Sequence, residues 1–462
     1  QNATKRHLKN GQNMIKRKID NYLHKFFSES HKALLLDGAR QTGKTYAIRN
    51  VGRTMFEHFV EINFVEKPEI RELVSTMVDT RQLLLRLSAL TGGEMVPGKT
   101  LIFFDEVQAC PEIVTKIKFL VDEGSYRYAM SGSLLGVELN DLRSAPVGYM
   151  EEKTLYPLDL EEFLEAIGTA HDVMEHVRER WTSKEAVDTF VHRQMMNAVR
   201  LYLVIGGMPA VVAKYLETNN LQTVLDEQRA ILALYERDIA KYDARNKLYI
   251  REIFRLIPPE LNAQNKRFIL KQLNENIKFD RYENSFLWLK DAGVALPVYN
   301  VDEPTPPLLL SRSRNLFKLF QNDVGLLAAQ YAEGLQLRLI MGDDKLNCGA
   351  IYENLVAQEL RAHGFELYYF NSKKMGELDF VVESGGAAMP IEVKSGKDYQ
   401  RHRAINNVMQ TRNYNVAQPL VLCNDNLSLN GGITYAPIYM LMCLQRDLSA
   451  PTYYKIEPPR LG

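Results

Sequence analysis

The sequence predicts an α/β protein of several domains, and three observations carry that reading. Short apolar runs alternate with helix-patterned segments through the first third of the chain, as happens when helices cover a parallel sheet. The first apolar run ends in a glycine-bounded loop that opens directly into a helix. Beyond residue 320 a second alternation runs α-β-β-β-α-β, an order that marks a separate α/β fold. At 462 residues the chain fits two to four domains better than one core.

In chain order, residues 1–13 are polar and basic without periodicity and read as a tail, with Met14 as a natural start. Residues 14–158 form the first α/β domain. Ile19–Phe27 is an amphipathic helix with Ile19, Leu23 and Phe26 on one face. Ala33–Asp37, His58–Asn63, Thr100–Phe104 and Arg127–Ser131 are strands. Helices begin at Lys44, run over Arg71–Leu90 with a stripe at Leu83, Leu87 and Leu90, and cover Pro111–Asp122. Residues 159–238 are helical throughout, broken at Gly206–Gly207–Met208–Pro209, and form a lid.

Residues 239–320 resemble a winged helix. Helices at Lys266–Glu275 and Tyr282–Asp291 lead to a strand at Gly293–Asn300 and a wing or linker at Pro304, Pro306 and Pro307. The recognition helix offers Arg281 and Lys290 against Glu283 and Asp291, so DNA contact and a protein platform both stay open. Residues 321–462 carry a helix at Gly349–His363, then strands at Glu366–Phe370, Leu378–Val382 and Pro390–Val393. A helix at His402–Arg412 and a strand at Pro419–Cys423 complete the second α/β fold.

Composition excludes little. Hydrophobic residues make up 46% and charged residues 25%, an ordinary globular balance. The 57 Lys and Arg equal the 57 Asp and Glu, so no global field draws the chain onto nucleic acid or anionic lipid. Cys110, Cys348, Cys423 and Cys443 form no CxxC pair and suit a reducing cytoplasm. The longest apolar stretch, Tyr202–Leu216, is interrupted by Gly206, Gly207, Pro209 and Lys214, so no membrane span or secretory signal is expected.

Gly38-Ala-Arg40-Gln41-Thr42-Gly43-Lys44-Thr45 fits G-x-x-x-x-G-K-[ST] at every fixed position, between a strand and a helix. Glycines let backbone N–H groups turn in on phosphates, and the helix N-terminus adds positive potential. Lys44 reaches the β- and γ-phosphates of ATP, and the Thr45 hydroxyl binds Mg²⁺. One crossover later, Leu101-Ile-Phe-Phe-Asp105-Glu106 is an apolar strand ending in two acids. Asp105 is the expected metal holder and Glu106 the general base that polarises water. Ser131 and Ser133 end a further strand, either sensing the γ-phosphate or simply turning the chain.

The stretches LLLDGARQTGKT, LIFFDEVQ, MSGSLLG, LYPLDLEEFL, YLVIGGMPAVVAKYLE, FKLFQNDVGLL, IYENLVAQEL, GELDFVV and IEVKSG run in this order along nearly the whole chain. Together they resemble the prokaryotic AAA-type ATPases that carry a C-terminal nuclease-like domain of unknown function. The resemblance implies an AAA-type core, a helical lid, a winged-helix-like middle and a restriction-endonuclease-like end. Relatives often carry a basic residue after the glycine that precedes LYPLDLEEFL, whereas here Gly148 is followed by Tyr149. Arg143, Arg312 and Arg314 are the alternatives for an arginine finger.

A second constellation lies in the nuclease-like part. Strand periodicity puts Glu377 with Asp379, and Glu392 with Lys394, on common faces. Ser384–Gly385–Gly386 reverses the chain between them. This is the D…ExK pattern of the PD-(D/E)XK nuclease fold, and Glu353 on the preceding helix matches the acid that such folds supply from their first helix. The expectation is that Glu353, Asp379, Glu392 and Lys394 converge on a second Mg²⁺ or Mn²⁺. Acid pairs are also ordinary on exposed strands. The leading reading is therefore an ATPase coupled to a module that acts on DNA or other nucleic acid. The alternative is a nucleotide-dependent switch or scaffold that binds a protein partner. A homo-oligomer fits either.

Overall fold

A computed structural model describes residues 15–76, 79–91, 95–133, 148–242, 247–263, 267–268, 282–331, 334–343, 346 and 348–446. The chain divides into two compact units. The first comprises Gln1–Met174, Asn197–Pro297 and Lys318–Gln358, and the second comprises Glu175–Met196, Val298–Phe317 and Glu359–Gly462. Arg143 and most of the helix expected at Lys266–Glu275 fall outside the described residues.

The first unit opens with α1 (Lys18–Glu29), β1 (Ala33–Asp37), α2 (Lys44–Met55), β2 (His58–Asn63), α3 (Pro68–Ser75) and α4 (Thr80–Thr91). It continues through β3 (Thr100–Asp105), α5 (Glu112–Glu123), β4 (Arg127–Ser131) and β5 (Met150–Thr154). All five strands are parallel, in the order β2-β3-β4-β1-β5. Successive side chains point to opposite faces, so each apolar strand feeds two cores. Leu34, Leu36, Leu101 and Phe103 pack with α1 and α2 on one face. Leu35, Ile102, Phe104 and Met130 pack with α3, α4 and α5 on the other. The expected helix over Arg71–Leu90 is two helices, and its stripe ends early: Leu83 and Leu87 are buried, while Leu90 is exposed.

The insertion of β4 between β1 and β3 is what builds a site. It brings the carboxyl ends of three strands side by side, pairing Leu36 with Ser131 and Phe104 with Met130. Ligands of open parallel sheets bind at that edge.

Helices follow: α6 (Leu160–Ala166), α7 (His171–Ser183), α8 (Thr189–Ile205), α9 (Pro209–Thr218), α10 (Leu221–Tyr242), α11 (Lys247–Asn262) and α12 (Glu283–Asp291). Strands β6 (Ala295–Val301) and β7 (Arg312–Gln321) come next, then α13 (Val324–Ala329), α14 (Leu335–Met341) and α15 (Gly349–Ala362). The α8–α9 turn is locked by close approaches. A Cβ on Gly206 would lie 2.2 Å from Asp323 Oδ1, and one on Gly207 would lie 2.0 Å from the Leu158 carbonyl. The fully buried Asp323 carboxylate accepts the amides of Gly207 (2.6 Å) and Leu326 (2.9 Å), so one side chain caps α13 and holds the turn.

The chain closes with β8 (Tyr368–Ser372), β9 (Gly376–Ser384), β10 (Ala387–Val393), α16 (Arg403–Met409), β11 (Leu420–Cys423), β12 (Ser428–Asn430) and β13 (Ile433–Pro437). These strands join β6 and β7 in a mixed sheet of order β12-β13-β11-β10-β9-β8-β6-β7. Strands β9 and β10 form a tight hairpin through Gly385 and Gly386, both at positive φ (56° and 78°), where glycine costs least. Leu378, Val381, Tyr368 and Phe370 pack with Ala404, Ile405 and Val408 of α16 in this unit's core.

Candidate nucleotide site

The loop between β1 and α2 takes its shape from three left-handed residues: Gly38 (φ 133°), Gln41 (φ 68°) and Gly43 (φ 96°). A Cβ on Gly38 would lie 2.3 Å from the Leu155 carbonyl, so only glycine fits there. Gly43 caps α2, whose first turn carries no acidic side chain. The positive end of that helix and its unbonded N–H groups are therefore open to an anion.

Lys44 folds back onto this loop. Its Nζ donates to the carbonyls of Gly38 (2.9 Å) and Ala39 (2.7 Å). Burial pulls its pKa down to about 8, with Glu106, Asp37 and Asp105 pulling the other way. The next residue faces the acidic strand end: Thr45 Oγ1 donates to Asp105 Oδ2 at 3.1 Å. Ser131 Oγ donates to Asp105 Oδ1, and Asn63 Nδ2 approaches Oδ2 at 3.5 Å. Burial raises the Asp105 carboxyl, and the Ser131 hydrogen bond works against that rise. Thr45, Asp105 and Ser131 are thus brought together, with Lys44 next to them.

Glu106 follows in a left-handed conformation (φ 54°) that a non-glycine residue seldom adopts. Its Oε2 accepts from Gln108 Nε2, which also lies 3.5 Å from Ser133 Oγ. Ser133 Oγ in turn accepts from Arg40 Nε at 3.1 Å. The two serines therefore part company, Ser131 serving Asp105 while Ser133 links Arg40 to Gln108.

Several supporting residues gave no signal in the sequence. Arg17, just before α1, is buried, and its Nη1 and Nη2 donate to the carbonyls of Thr42 (3.1 Å) and Tyr156 (2.8 Å). Its Nε lies 3.1 Å from Glu162 Oε1. A cavity of about 770 Å³ opens beside the loop, lined by Ile15, Arg17, Gln41, Tyr46, Pro209 and Lys214 among others. That size suits a small ligand. Only Gln108, two residues past Glu106, could have been singled out locally. The donor set fits a nucleotide: loop amides and Lys44 for phosphates, a hydroxyl and a carboxylate for a hard cation, and a half-apolar cavity for a base.

The residues of the second constellation are distributed over the two units. Glu353 belongs to the first, where it is buried 3.8 Å from the buried Lys318. Asp379, Glu392 and Lys394 belong to the second. There Asp379 Oδ2 accepts the Val393 amide at 2.8 Å, and Lys394 Nζ lies 2.9 Å from Glu392 Oε1. Among the described residues no group of three or more His, Cys, Asp or Glu side chains is placed to hold a metal ion. Among those residues the expected second Mg²⁺ or Mn²⁺ therefore finds no such cage. Of the arginine-finger candidates, Arg312 and Arg314 belong to the second unit, with Arg312 stacked over Tyr299 at 4.8 Å.

A search of the curated proteins found no match. Among solved structures, the chain is similar to a Walker-type ATPase of Pyrococcus abyssi at 14% identity, with a TM-score of 0.41, covering 69% of this chain and 96% of that one. It is also similar to the Aeropyrum pernix Orc1 protein in complex with DNA, at 14% identity and a TM-score of 0.26, covering 71% and 91%. A katanin structure matches at 18% identity and a TM-score of 0.23, covering 35% and 57%. Residues 196–337 and 348–441 match two family models, each described as a domain of unknown function. Residues 30–164, which hold the loop, Asp105, Glu106 and both serines, match the family model described as an AAA domain, and the parallel sheet around them has the P-loop AAA-type α/β fold.

Proposed function

We propose that this chain is a magnesium-dependent ATPase whose nucleotide cycle acts on a nuclease-like C-terminal module that engages nucleic acid. One observation carries the ATPase half: Thr45, Asp105 and Ser131 form a single hydrogen-bonded set beside Lys44 at the carboxyl edge of the sheet. Loop amides and the first turn of α2 would bind the phosphates, and Lys44 would offset their β and γ charge. Magnesium, held by Thr45 and Asp105, would neutralise charge on the phosphate oxygens. Glu106 would take the proton of the attacking water, and the cavity beside Tyr46 and Pro209 suits the base.

The nuclease-like half is supported by the β8-β9-β10-α16-β11 order and by Asp379 reaching the amide between Glu392 and Lys394. The pairing of Lys394 with Glu392 favours a second reading, in which the module binds a nucleic acid or protein without cutting it. Phosphate release from ATP with and without magnesium tests the first half. Incubation with DNA and RNA in magnesium or manganese tests the second. Phosphate release without cleavage leaves the switch reading. No release with any nucleotide removes the ATPase.

A further inference from the structure

Arg40 is the one cation inside the fixed frame of the loop besides Lys44, and three residues grip it. Its carbonyl accepts from the Tyr235 hydroxyl of α10 at 3.1 Å. Its Nε donates to Ser133 Oγ at 3.1 Å and lies 3.0 Å from Asp238 Oδ2, also on α10. Asp238 is 5% exposed, whereas the Arg40 side chain keeps 32% of its surface. The single proton on Nε is committed to this grip. The terminal nitrogens Nη1 and Nη2 make no hydrogen bond with the described residues. A guanidinium has five N–H donors in a planar fork, so four remain for an anion.

The place of this guanidinium narrows what the anion is. Ser133 lies just past β4, between the strand ends that carry Gly38 and Asp105. The same hydroxyl is 3.5 Å from Gln108 Nε2, whose other partner is Glu106. A cation sharing Ser133 with the residue that holds the general-base candidate would stand on the γ side of bound phosphates. Its charge reaches Lys44, whose ammonium it disfavours.

We infer that Arg40 is a specificity-determining residue that distinguishes nucleoside triphosphate from diphosphate, and that Asp238 of α10 competes with the γ-phosphate for it. The inference rests on the ATP-site reading. A γ-phosphate adds charge and acceptor oxygens that the fork can meet bidentately. Asp238 loses its nearest cation whenever Arg40 turns toward phosphate, and an unpaired buried carboxylate is costly. Triphosphate binding is thereby tied to α10.

Calorimetry of the full chain with magnesium-ATP and magnesium-ADP tests this. Arg40→Ala should lose about tenfold or more in ATP affinity while ADP affinity stays within about twofold, and Arg40→Lys should fall between. Asp238→Asn keeps the shape but removes the competing charge, and should raise the ratio of ATP to ADP affinity. Equal losses for both nucleotides in Arg40→Ala would make Arg40 a mere support of the loop. Unchanged ATP binding in that variant, or a lower ratio in Asp238→Asn, would also overturn the inference. A wild-type protein that binds neither nucleotide would instead remove the ATP site itself.

Discussion

Replacing Arg17 by alanine should damage the nucleotide site from behind, and the size of the effect follows from its contacts. Arg17 is 8% exposed, and its guanidinium ties the Thr42 carbonyl of the loop to the Tyr156 carbonyl and to Glu162. Removing it leaves the carboxylate of the buried Glu162 without its cation. Breaking one side of a buried pair costs about 3–5 kcal/mol. Glu162 still accepts the amides of Lys18 (2.6 Å) and Asp159 (3.1 Å), which places the expected loss near the lower end. Adding Glu162→Gln removes the stranded charge, so the double variant should cost about 1–3 kcal/mol less than the sum of the singles. Urea unfolding can read this separately for each unit, because the chain has two tryptophans. Trp288 is buried in the first unit and Trp181 belongs to the second, so a Trp181→Phe background lets Trp288 fluorescence report the first alone. Strictly additive losses, or a loss under about 1 kcal/mol for Arg17→Ala, would refute the reasoning.

Other outcomes follow from the same geometry. Glu106→Gln should keep ATP binding but slow phosphate release by about 10²-fold or more, since the amide cannot take a proton; wild-type turnover would exclude Glu106 as the base. Gly43→Ala has room for its methyl, 3.7 Å from Pro209, and should cost about 1–3 kcal/mol through its φ of 96°. Gly38→Ala must also displace the Leu155 carbonyl and should unfold the first unit more readily; equal urea midpoints would contradict this. Burial pushes the Asp323 carboxyl up to about 6, against the amides of Gly207, Leu326 and Gly325. Between 3.8 and about 6 the folded state therefore holds a proton that the unfolded chain has released. That contribution is complete below the lower value and gone above the upper. The first unit should lose about 3 kcal/mol relative to Asp323→Asn as pH rises through the window, and a flat difference would exclude Asp323 as the titrating group.

The parts of this molecule legible in the sequence are those whose chemistry is local. The loop fixes residue types at fixed spacing, and β1, β3 and β4 are buried on both faces, so they read as apolar runs. Strand β5 was missed because MEEKT, at the sheet edge, is half-exposed and charged. Strand β7 was missed because only its second half, Phe317–Gln321, is buried. The partners of the loop were invisible for a different reason. Arg17 meets Tyr156 across 139 residues, and Tyr235 meets Arg40 across 195, so no periodicity joins them. The acid-and-lysine pattern of β9 and β10 was legible as a hairpin, whereas the side-chain partners of Glu353 and Lys394 depended on packing.

The central claim is that Lys44 and its loop hold the phosphates of ATP. Isothermal titration of magnesium-ATP into the full chain and into Lys44→Ala tests it most directly. Lys44 is largely buried and, among the described residues, donates to the Gly38 and Ala39 carbonyls alone, so its truncation should leave the fold in place, which Trp288 fluorescence can verify. The wild type should show one site per chain and the variant a loss of about 100-fold or more, as the ammonium that offsets the β- and γ-phosphate charge is gone. Equal affinity in a folded variant would contradict it.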